Sequence, residues 1–79
     1  MSAKKIKIYT TDDCPYCVAA KNLLTRKNLS FEEVDVSSDD DFDALVKRTG
    51  MKTVPQIFFD DVLIGGFQEL TQLDRQGKV

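Results

Sequence analysis

The chain has 79 residues, of which 42% are hydrophobic, so residues 1–79 predict a single small domain with a thin core. Its 11 basic and 13 acidic residues leave a net charge of −2, which provides no electrostatic basis for binding nucleic acid or an anionic membrane. Because neither a signal-peptide pattern nor a run of about 18 apolar residues is present, we expect a cytoplasmic protein. In that compartment the two cysteines are kept mostly reduced, so a disulfide that cycles is favoured over a structural one.

The predicted elements begin with a strand at residues 5–10, in which apolar and polar side chains alternate. A helix that starts at Cys14 or Pro15 and ends near Asn28 follows this strand. A second strand at residues 30–36 returns parallel to the first through a right-handed crossover. The predicted buried side of the helix consists of four residues at helical spacing: Cys17, Ala20, Leu23 and Leu24.

A second helix is predicted between a serine cap, at Ser37 or Ser38, and a left-handed stop at Gly50. Three aspartates at 39–41 crowd its first turn, where negative charge is favourable. We interpret this acidic run as a solvated helix start, because a calcium loop needs more ligands at defined spacing. The predicted buried stripe of this helix is Phe42, Leu45 and Val46.

A hairpin and a short last helix complete the predicted order. Apolar runs at 56–59 and 62–64 flank the turn formed by the two aspartates at 60–61. The last helix is predicted at 67–76, with a glycine stop at Gly77. The side chains predicted to be buried in this part are Phe58, Phe59, Leu70 and Leu73. The order βαβαββα, with helices on both faces of a small mixed sheet, predicts a three-layer α/β fold.

The residues with the clearest chemistry are Cys14 and Cys17, at the start of the first predicted helix. Pro15 suits the first helical position, so Cys14 falls at the N-cap, where unpaired N–H groups and the macrodipole favour a thiolate. Exposed Asp12 and Asp13 oppose the thiolate, but carboxylates about 8 Å away each raise its pKa by only about 0.4 unit. Cys17 lies about one turn further on and can close a disulfide. We therefore predict that Cys14 attacks a disulfide and that Cys17 resolves the mixed disulfide.

Three blocks of sequence are more informative together than the cysteine pair is alone. They are Cys14-Pro15-Tyr16-Cys17, Thr53-Val54-Pro55-Gln56-Ile57-Phe58 before the hairpin, and Ile64-Gly65-Gly66 at its end. In this order and spacing, over nearly the whole chain, they resemble the dithiol glutaredoxins of the Cys-Pro-Tyr-Cys type. The resemblance implies the thioredoxin fold with a four-stranded mixed sheet. It also implies a glutathione-dependent thiol–disulfide oxidoreductase that reduces protein disulfides and glutathione mixed disulfides.

The resemblance further implies a glutathione site beside a cis Val54-Pro55 bond, next to Cys14. In the family the residue matching Val54 pairs its backbone with the cysteinyl part of glutathione, as an added strand would. Gly65 and Gly66 allow close backbone approach, and the N-terminus of the last helix receives the γ-glutamyl carboxylate. The residues implied to bind glutathione are Tyr16, Lys52, Thr53, Val54, Pro55, Gly66, Phe67 and Gln68.

Some positions differ from the usual glutaredoxin pattern. Thr11 stands where many relatives carry a lysine that meets a glutathione carboxylate, and Lys52 is the residue that can replace it. Phe67-Gln68-Glu69 follows the glycines where Cys-Asp or Cys-Ser is usual. Gln68 can still use its backbone N–H, but no charged partner for the γ-glutamyl amino group is identified. The Tyr16 ring fits a substrate contact and a simple cap on the helix start equally well.

Two other functions fit parts of the pattern. Gly66-Phe67 resembles a segment of the NrdH-type redoxins, which take electrons from thioredoxin reductase and give them to ribonucleotide reductase, although the other blocks favour glutaredoxin. An iron–sulfur cluster carried between two subunits with glutathione is the non-enzymatic alternative, and Pro15-Tyr16 between the cysteines disfavours it. A zinc site lacks ligands, since the chain has two cysteines and no histidine.

The expected partners follow from this interpretation. We expect glutathione as co-substrate, no metal, and protein substrates that are glutathionylated or carry disulfides, with ribonucleotide reductase among the candidates. We expect no nucleic-acid or membrane partner, and a monomer.

Overall fold

The computed structural model describes residues 5–79. The expectation that no signal peptide begins at Met1 concerns a segment whose first residues lie outside this range. Within residues 5–79 none of the helices is long and apolar enough to cross a membrane. The elements follow the predicted order: β1 (Ile6–Thr10), α1 (Pro15–Arg26), β2 (Glu32–Asp35), α2 (Asp39–Thr49), β3 (Gln56–Phe59), β4 (Val62–Gly65) and α3 (Phe67–Arg75).

The four strands form one mixed sheet in the order β2-β1-β3-β4. β1 pairs with β2 in parallel and with β3 antiparallel, and β4 pairs antiparallel with β3. β2 is shorter than the predicted strand at 30–36, because its pairing with β1 begins only at Glu32; the Phe31 side chain packs against the core without belonging to the strand. Beyond its other end, the Val36 N–H still donates to the Thr10 carbonyl at 2.8 Å. The predicted unit of strand, helix and parallel strand is therefore present as β1, α1 and β2.

The helices cover both faces of the sheet, as the predicted three layers require. α1 and α3 pack on one face, where the four predicted residues of α1 are all buried. α2 packs on the other face around Tyr9, Val36 and Leu45. In α2 only Leu45 is fully buried, and Phe42 and Val46 are half-buried, because this face has a smaller apolar cluster to cover them. Of the side chains predicted to be buried in the hairpin and α3, Phe59 and Leu70 are buried, whereas Phe58 and Leu73 are half-buried.

Helix ends and turns occur where the sequence places them. Ser38 caps α2, and its hydroxyl oxygen accepts a hydrogen bond from the Asp41 N–H at 3.2 Å. Gly50 ends the helix with a left-handed φ of 79°. The hairpin turn uses positive φ at Asp60 and Asp61, 51° and 68°, which is the geometry of a two-residue turn matched to the strand twist.

Candidate active site

Cys14 is the N-cap of α1, with extended backbone angles of φ −140° and ψ 95°, and Pro15 is the first helical residue. The Cys17 N–H lies 3.1 Å from the Cys14 Sγ and points at it. The two cysteines are joined by a disulfide, with 5.2 Å between their Cα atoms. The structure therefore shows the oxidised form of the predicted pair. In the reduced form, a backbone N–H aimed at the Cys14 sulfur stabilises negative charge there.

The two sulfurs differ in their access to a substrate. Cys14 is 9% exposed, whereas Cys17 is 1% exposed and lies on the buried side of α1. A substrate disulfide therefore reaches Cys14 before Cys17. This asymmetry supports the predicted division of roles, in which Cys17 acts only after a mixed disulfide has formed on Cys14.

The loop between α2 and β3 lies directly beside the Cys14 sulfur. The Val54-Pro55 peptide bond is cis, as the resemblance implies, and Pro55 is buried. The Val54 carbonyl oxygen is 3.8 Å from the Cys14 Sγ. The chain thus presents Val54 next to the sulfur although the two residues are 40 positions apart.

A groove with a volume of about 420 Å³ runs between this loop and the start of α3. That volume is in the usual range for small-molecule sites. Seven of the eight residues predicted to bind glutathione line it: Tyr16, Thr53, Val54, Pro55, Gly66, Phe67 and Gln68. Lys52 is exposed and is not among the lining residues. Direct contact of these residues with glutathione stays a prediction.

Two lining residues, Met51 and Glu69, were not predicted from the sequence. Glu69 occupies the third position of α3, and its Oε1 accepts a hydrogen bond from the Gly66 N–H at 2.8 Å. Gly66 has no side chain to cap the helix in return, so the carboxylate supplies half of a capping box. An acidic residue three positions after the cap residue was the available signal for this role.

Gly65 and Gly66 leave little space for a side chain, because the Glu69 side chain and the Pro55 carbonyl lie close to them. Gly65 has a φ of +121°, and a Cβ there would lie 2.6 Å from the Glu69 Cγ. At Gly66 a Cβ would lie 3.2 Å from the Pro55 carbonyl oxygen. The predicted close approach at Gly65 is therefore made by the chain's own Glu69 side chain.

Tyr16 connects the two sides of the groove. Its side chain is 65% exposed, and its ring stacks on the Phe67 ring with centroids 5.9 Å apart and planes at 30°. The ring thus contacts α3 across the groove instead of only capping α1. Replacing the usual family cysteine with Phe67 provides the partner for this stack.

The carboxyl groups with shifted pKa values lie on β2 and do not line the groove. The pKa of Glu33 is lowered, chiefly by a hydrogen bond from Lys21 at 2.9 Å and then by one from the Thr10 hydroxyl at 2.8 Å. The pKa of Asp35 is lowered by hydrogen bonds from Ser37. Within residues 5–79 no three Cys, His, Asp or Glu side chains are placed to hold a metal ion.

Comparison with known proteins identifies the family to which this geometry belongs. A family model described as Glutaredoxin matches residues 6–64. The chain belongs to the glutaredoxin family. Glutaredoxin 1 of Rickettsia typhi is 44% identical over 77 residues, covering 94% of this chain and 74% of the relative. Glutaredoxin 3 of Escherichia coli K12 is 44% identical over 73 residues, covering 91% of this chain and 88% of the relative.

Solved glutaredoxin structures have the same fold. The crystal structure of glutaredoxin 1 from Francisella tularensis complexed with cacodylate matches with a TM-score of 0.82 and 38% identity, over 94% of this chain and 95% of that one. The buckwheat glutaredoxin–glutathione complex matches with a TM-score of 0.85 and 25% identity, over 95% of this chain and 72% of that one. The predicted thioredoxin fold is confirmed.

This glutaredoxin is therefore a dithiol thiol–disulfide oxidoreductase with Cys14 and Cys17 as its redox-active pair. Membership of the family, together with the glutathione complex of a relative, implies glutathione as its co-substrate.

Proposed function

We propose that this glutaredoxin reduces glutathione mixed disulfides and protein disulfides, with Cys14 as nucleophile, Cys17 as resolving thiol and glutathione bound in the groove described above. One observation carries the proposal. The groove collects seven of the predicted glutathione residues and includes Val54, whose carbonyl oxygen is 3.8 Å from the Cys14 Sγ. A thiol tripeptide lying in the groove would thus bring its sulfur to Cys14.

In the first reaction, the Cys14 thiolate attacks the glutathione sulfur of a mixed disulfide. A new sulfur–sulfur bond joins Cys14 to glutathione, and the substrate leaves as a thiolate that takes a proton from solvent. A second glutathione, as thiolate, then attacks the glutathione sulfur attached to Cys14. Oxidised glutathione leaves and the Cys14 thiolate is restored, so Cys17 is not needed.

In the second reaction, the Cys14 thiolate attacks one sulfur of a protein disulfide and releases the other as a thiolate. Cys17 loses its proton and attacks the Cys14 sulfur, which forms the Cys14–Cys17 disulfide and frees the second substrate thiol. The structure shows this oxidised product state of the pair. Two glutathione molecules then reduce it and leave as one molecule of oxidised glutathione.

The charged features of the groove lie at its α3 end, and they would orient the tripeptide. The first N–H groups of α3, at Phe67 and Gln68, have no partners within the helix and favour a carboxylate. The Glu69 carboxylate lies beside them and is the one acidic side chain among the lining residues in the described part of the chain. It favours an amino group. A γ-glutamyl group carries both charges on one carbon, so it suits this end of the groove. Lys52 has no lining role in this arrangement.

The test compares reductants and cysteine variants. Disulfide reduction is measured with glutathione, glutathione reductase and NADPH, and then with thioredoxin reductase and NADPH in place of the glutathione system. We expect turnover with the first system. Turnover only with the second would instead support an NrdH-type redoxin.

The cysteine variants then test the roles of the two sulfurs. Cys17→Ser should retain most deglutathionylation and lose reduction of protein disulfides, whereas Cys14→Ser should lose both. Loss of both reactions in Cys17→Ser, with its folded state intact, would contradict the assigned roles.

A further inference from the structure

Gln56 is a fully buried polar residue whose side chain reaches back into the loop beside Cys14. It is the first residue of β3 and has no exposed surface. Its Nε2 donates two hydrogen bonds, to the Met51 carbonyl and to the Thr53 carbonyl, both at 3.0 Å. Its Oε1 is buried and has no hydrogen-bond partner in the described part of the chain.

This arrangement is unfavourable for the side chain itself. A buried acceptor without a partner loses its hydrogen bonds to water and gains none in return. An apolar side chain of similar volume would avoid that loss. The benefit of a glutamine at this position must therefore come from the two donated hydrogen bonds, and both end on the loop.

The position of Gln56 makes it an effective brace. Its backbone is held by the sheet, because Gln56 begins the central strand β3 and is in register with Tyr9 of β1. The loop has few other polar ties. At its start the Met51 N–H donates to the Thr49 hydroxyl at 3.1 Å. Among residues 5–79 the carbonyls of Met51 and Thr53 are held by the Gln56 amide.

We propose that Gln56 is a positioning residue for the glutathione groove, which fixes the loop at residues 51–54 and thereby sets Val54 beside the Cys14 sulfur. The proposal rests on the proposed function, since it assigns Gln56 to the same groove. Gln56 is not among the lining residues, so it acts through Thr53 and Val54. Cys14 keeps its own contact, the Cys17 N–H at 3.1 Å, which comes from α1 and is independent of the brace.

The brace predicts a specific kinetic signature. Without the two hydrogen bonds the loop samples other positions, so binding of the glutathione moiety weakens. The intrinsic reactivity of the Cys14 thiolate stays the same. KM for a small glutathione mixed disulfide should rise, while kcat and the rate of Cys14 alkylation should change little.

The test uses Gln56→Met, which keeps the length and bulk of the side chain but removes both donors. The matched control is Gln72→Met, at an exposed position of α3. Steady-state kinetics with glutathione and glutathione reductase give KM and kcat. Iodoacetamide alkylation across pH reports on Cys14, and amide hydrogen exchange reports on residues 51–54. Each of these measurements is also made on the wild-type chain.

For Gln56→Met we expect roughly a fivefold or larger rise in KM, from the loss of two ordinary hydrogen bonds. We also expect faster amide exchange at residues 51–54 and an unchanged alkylation profile. Unchanged KM and unchanged exchange would overturn the proposal. A fall in kcat together with slower alkylation would overturn it as well, because it would show a general structural role.

A second variant covers the case in which Gln56→Met does not fold. Gln56→Asn keeps the amide but is one methylene shorter, so it cannot reach both carbonyls, and the same direction of change is expected. Failure of the proposed function would be visible separately, as absence of glutathione-dependent turnover in the wild-type chain. The exchange rates at residues 51–54 would still decide whether Gln56 braces the loop.

Discussion

Replacing Gly65 with alanine should destabilise this glutaredoxin more than the same change at its other left-handed glycines. Gly65 ends β4 with a φ of +121°. An added Cβ would lie 2.6 Å from the Cγ of Glu69, 2.8 Å from its Oε1 and 2.9 Å from its Cδ. These separations are shorter than van der Waals contact, so the Glu69 side chain must leave its position. It then loses the hydrogen bond that it accepts from the Gly66 N–H at 2.8 Å.

The magnitude has two parts. Holding an alanine at a φ that side-chain-bearing residues rarely adopt costs about 1–3 kcal/mol. Losing the Glu69 hydrogen bond at the start of α3 costs about 0.5–1.5 kcal/mol. The free energy of unfolding should therefore fall by about 1.5–4.5 kcal/mol, the sum of these two parts. For a domain of this size that lowers Tm by at least about 6 °C.

Urea unfolding of Gly65→Ala and Gly50→Ala measures the difference between the two sites. Gly50 has a φ of +79° and nothing within 4 Å of an added Cβ, so its alanine variant carries backbone strain alone, about 1–2 kcal/mol. A double-mutant cycle with Glu69→Ala isolates the steric part, because alanine at 69 removes the clashing atoms. If Gly65→Ala were no more costly than Gly50→Ala, or equally costly with Glu69 and with alanine at 69, the reasoning would be refuted.

Two further predictions concern stability. Hydrogen bonds from Lys21 and Thr10 lower the pKa of Glu33, so its contribution is present above the unfolded-state pKa and is lost as pH falls through the lower folded-state value. Glu33→Gln should therefore flatten the pH dependence of the free energy of unfolding below about pH 5. The effect should be less than about 1 kcal/mol, because the Glu33 side chain is 40% exposed. Parallel curves of unfolding free energy against pH for the two proteins would contradict this. Leu24→Ala should lower the free energy of unfolding by about 2–5 kcal/mol, since Leu24 is fully buried, whereas Val18→Ala, at a 53% exposed position, should change it by less than about 0.5 kcal/mol. Equal effects of these two substitutions in urea unfolding would contradict the burial argument.

Much of the fold was predictable because hydrophobic periodicity and chain stops agree along the sequence. The four residues predicted on the buried side of α1 are all buried, and the caps at Cys14, Ser38 and Gly50 are where the sequence places them. The boundary of β2 was less accurate. Phe31 belongs to the strand pattern, but its side chain packs against the core while its backbone does not pair. Periodicity cannot distinguish these two outcomes for one apolar residue at a strand end.

The site was predictable where it depends on short motifs and less so where it depends on side-chain reach. The cysteine pair and the cis proline followed from residues adjacent in sequence and from the family resemblance. The contact between Glu69 and Gly66 carries a capping signal that sequence reasoning can use. The reach of Gln56 to the Met51 carbonyl carries none, because it depends on how the loop folds back over β3. Similarly, the sequence does not indicate that Lys52 lies outside the groove lining, because this depends on the path of the loop between α2 and β3.

The strand order also determines which edges of the sheet would be open to a neighbouring copy of the chain. β2 and β4 form the two edges of the sheet, and each edge presents unpaired backbone groups to a neighbouring molecule. β2 carries Glu32, Glu33 and Asp35, so two such edges repel each other. β4 has no charged residue from Val62 to Gly65, and the Val62 side chain is 64% exposed. Edge-to-edge pairing of two copies would therefore be opposed by charge along β2 and not along β4.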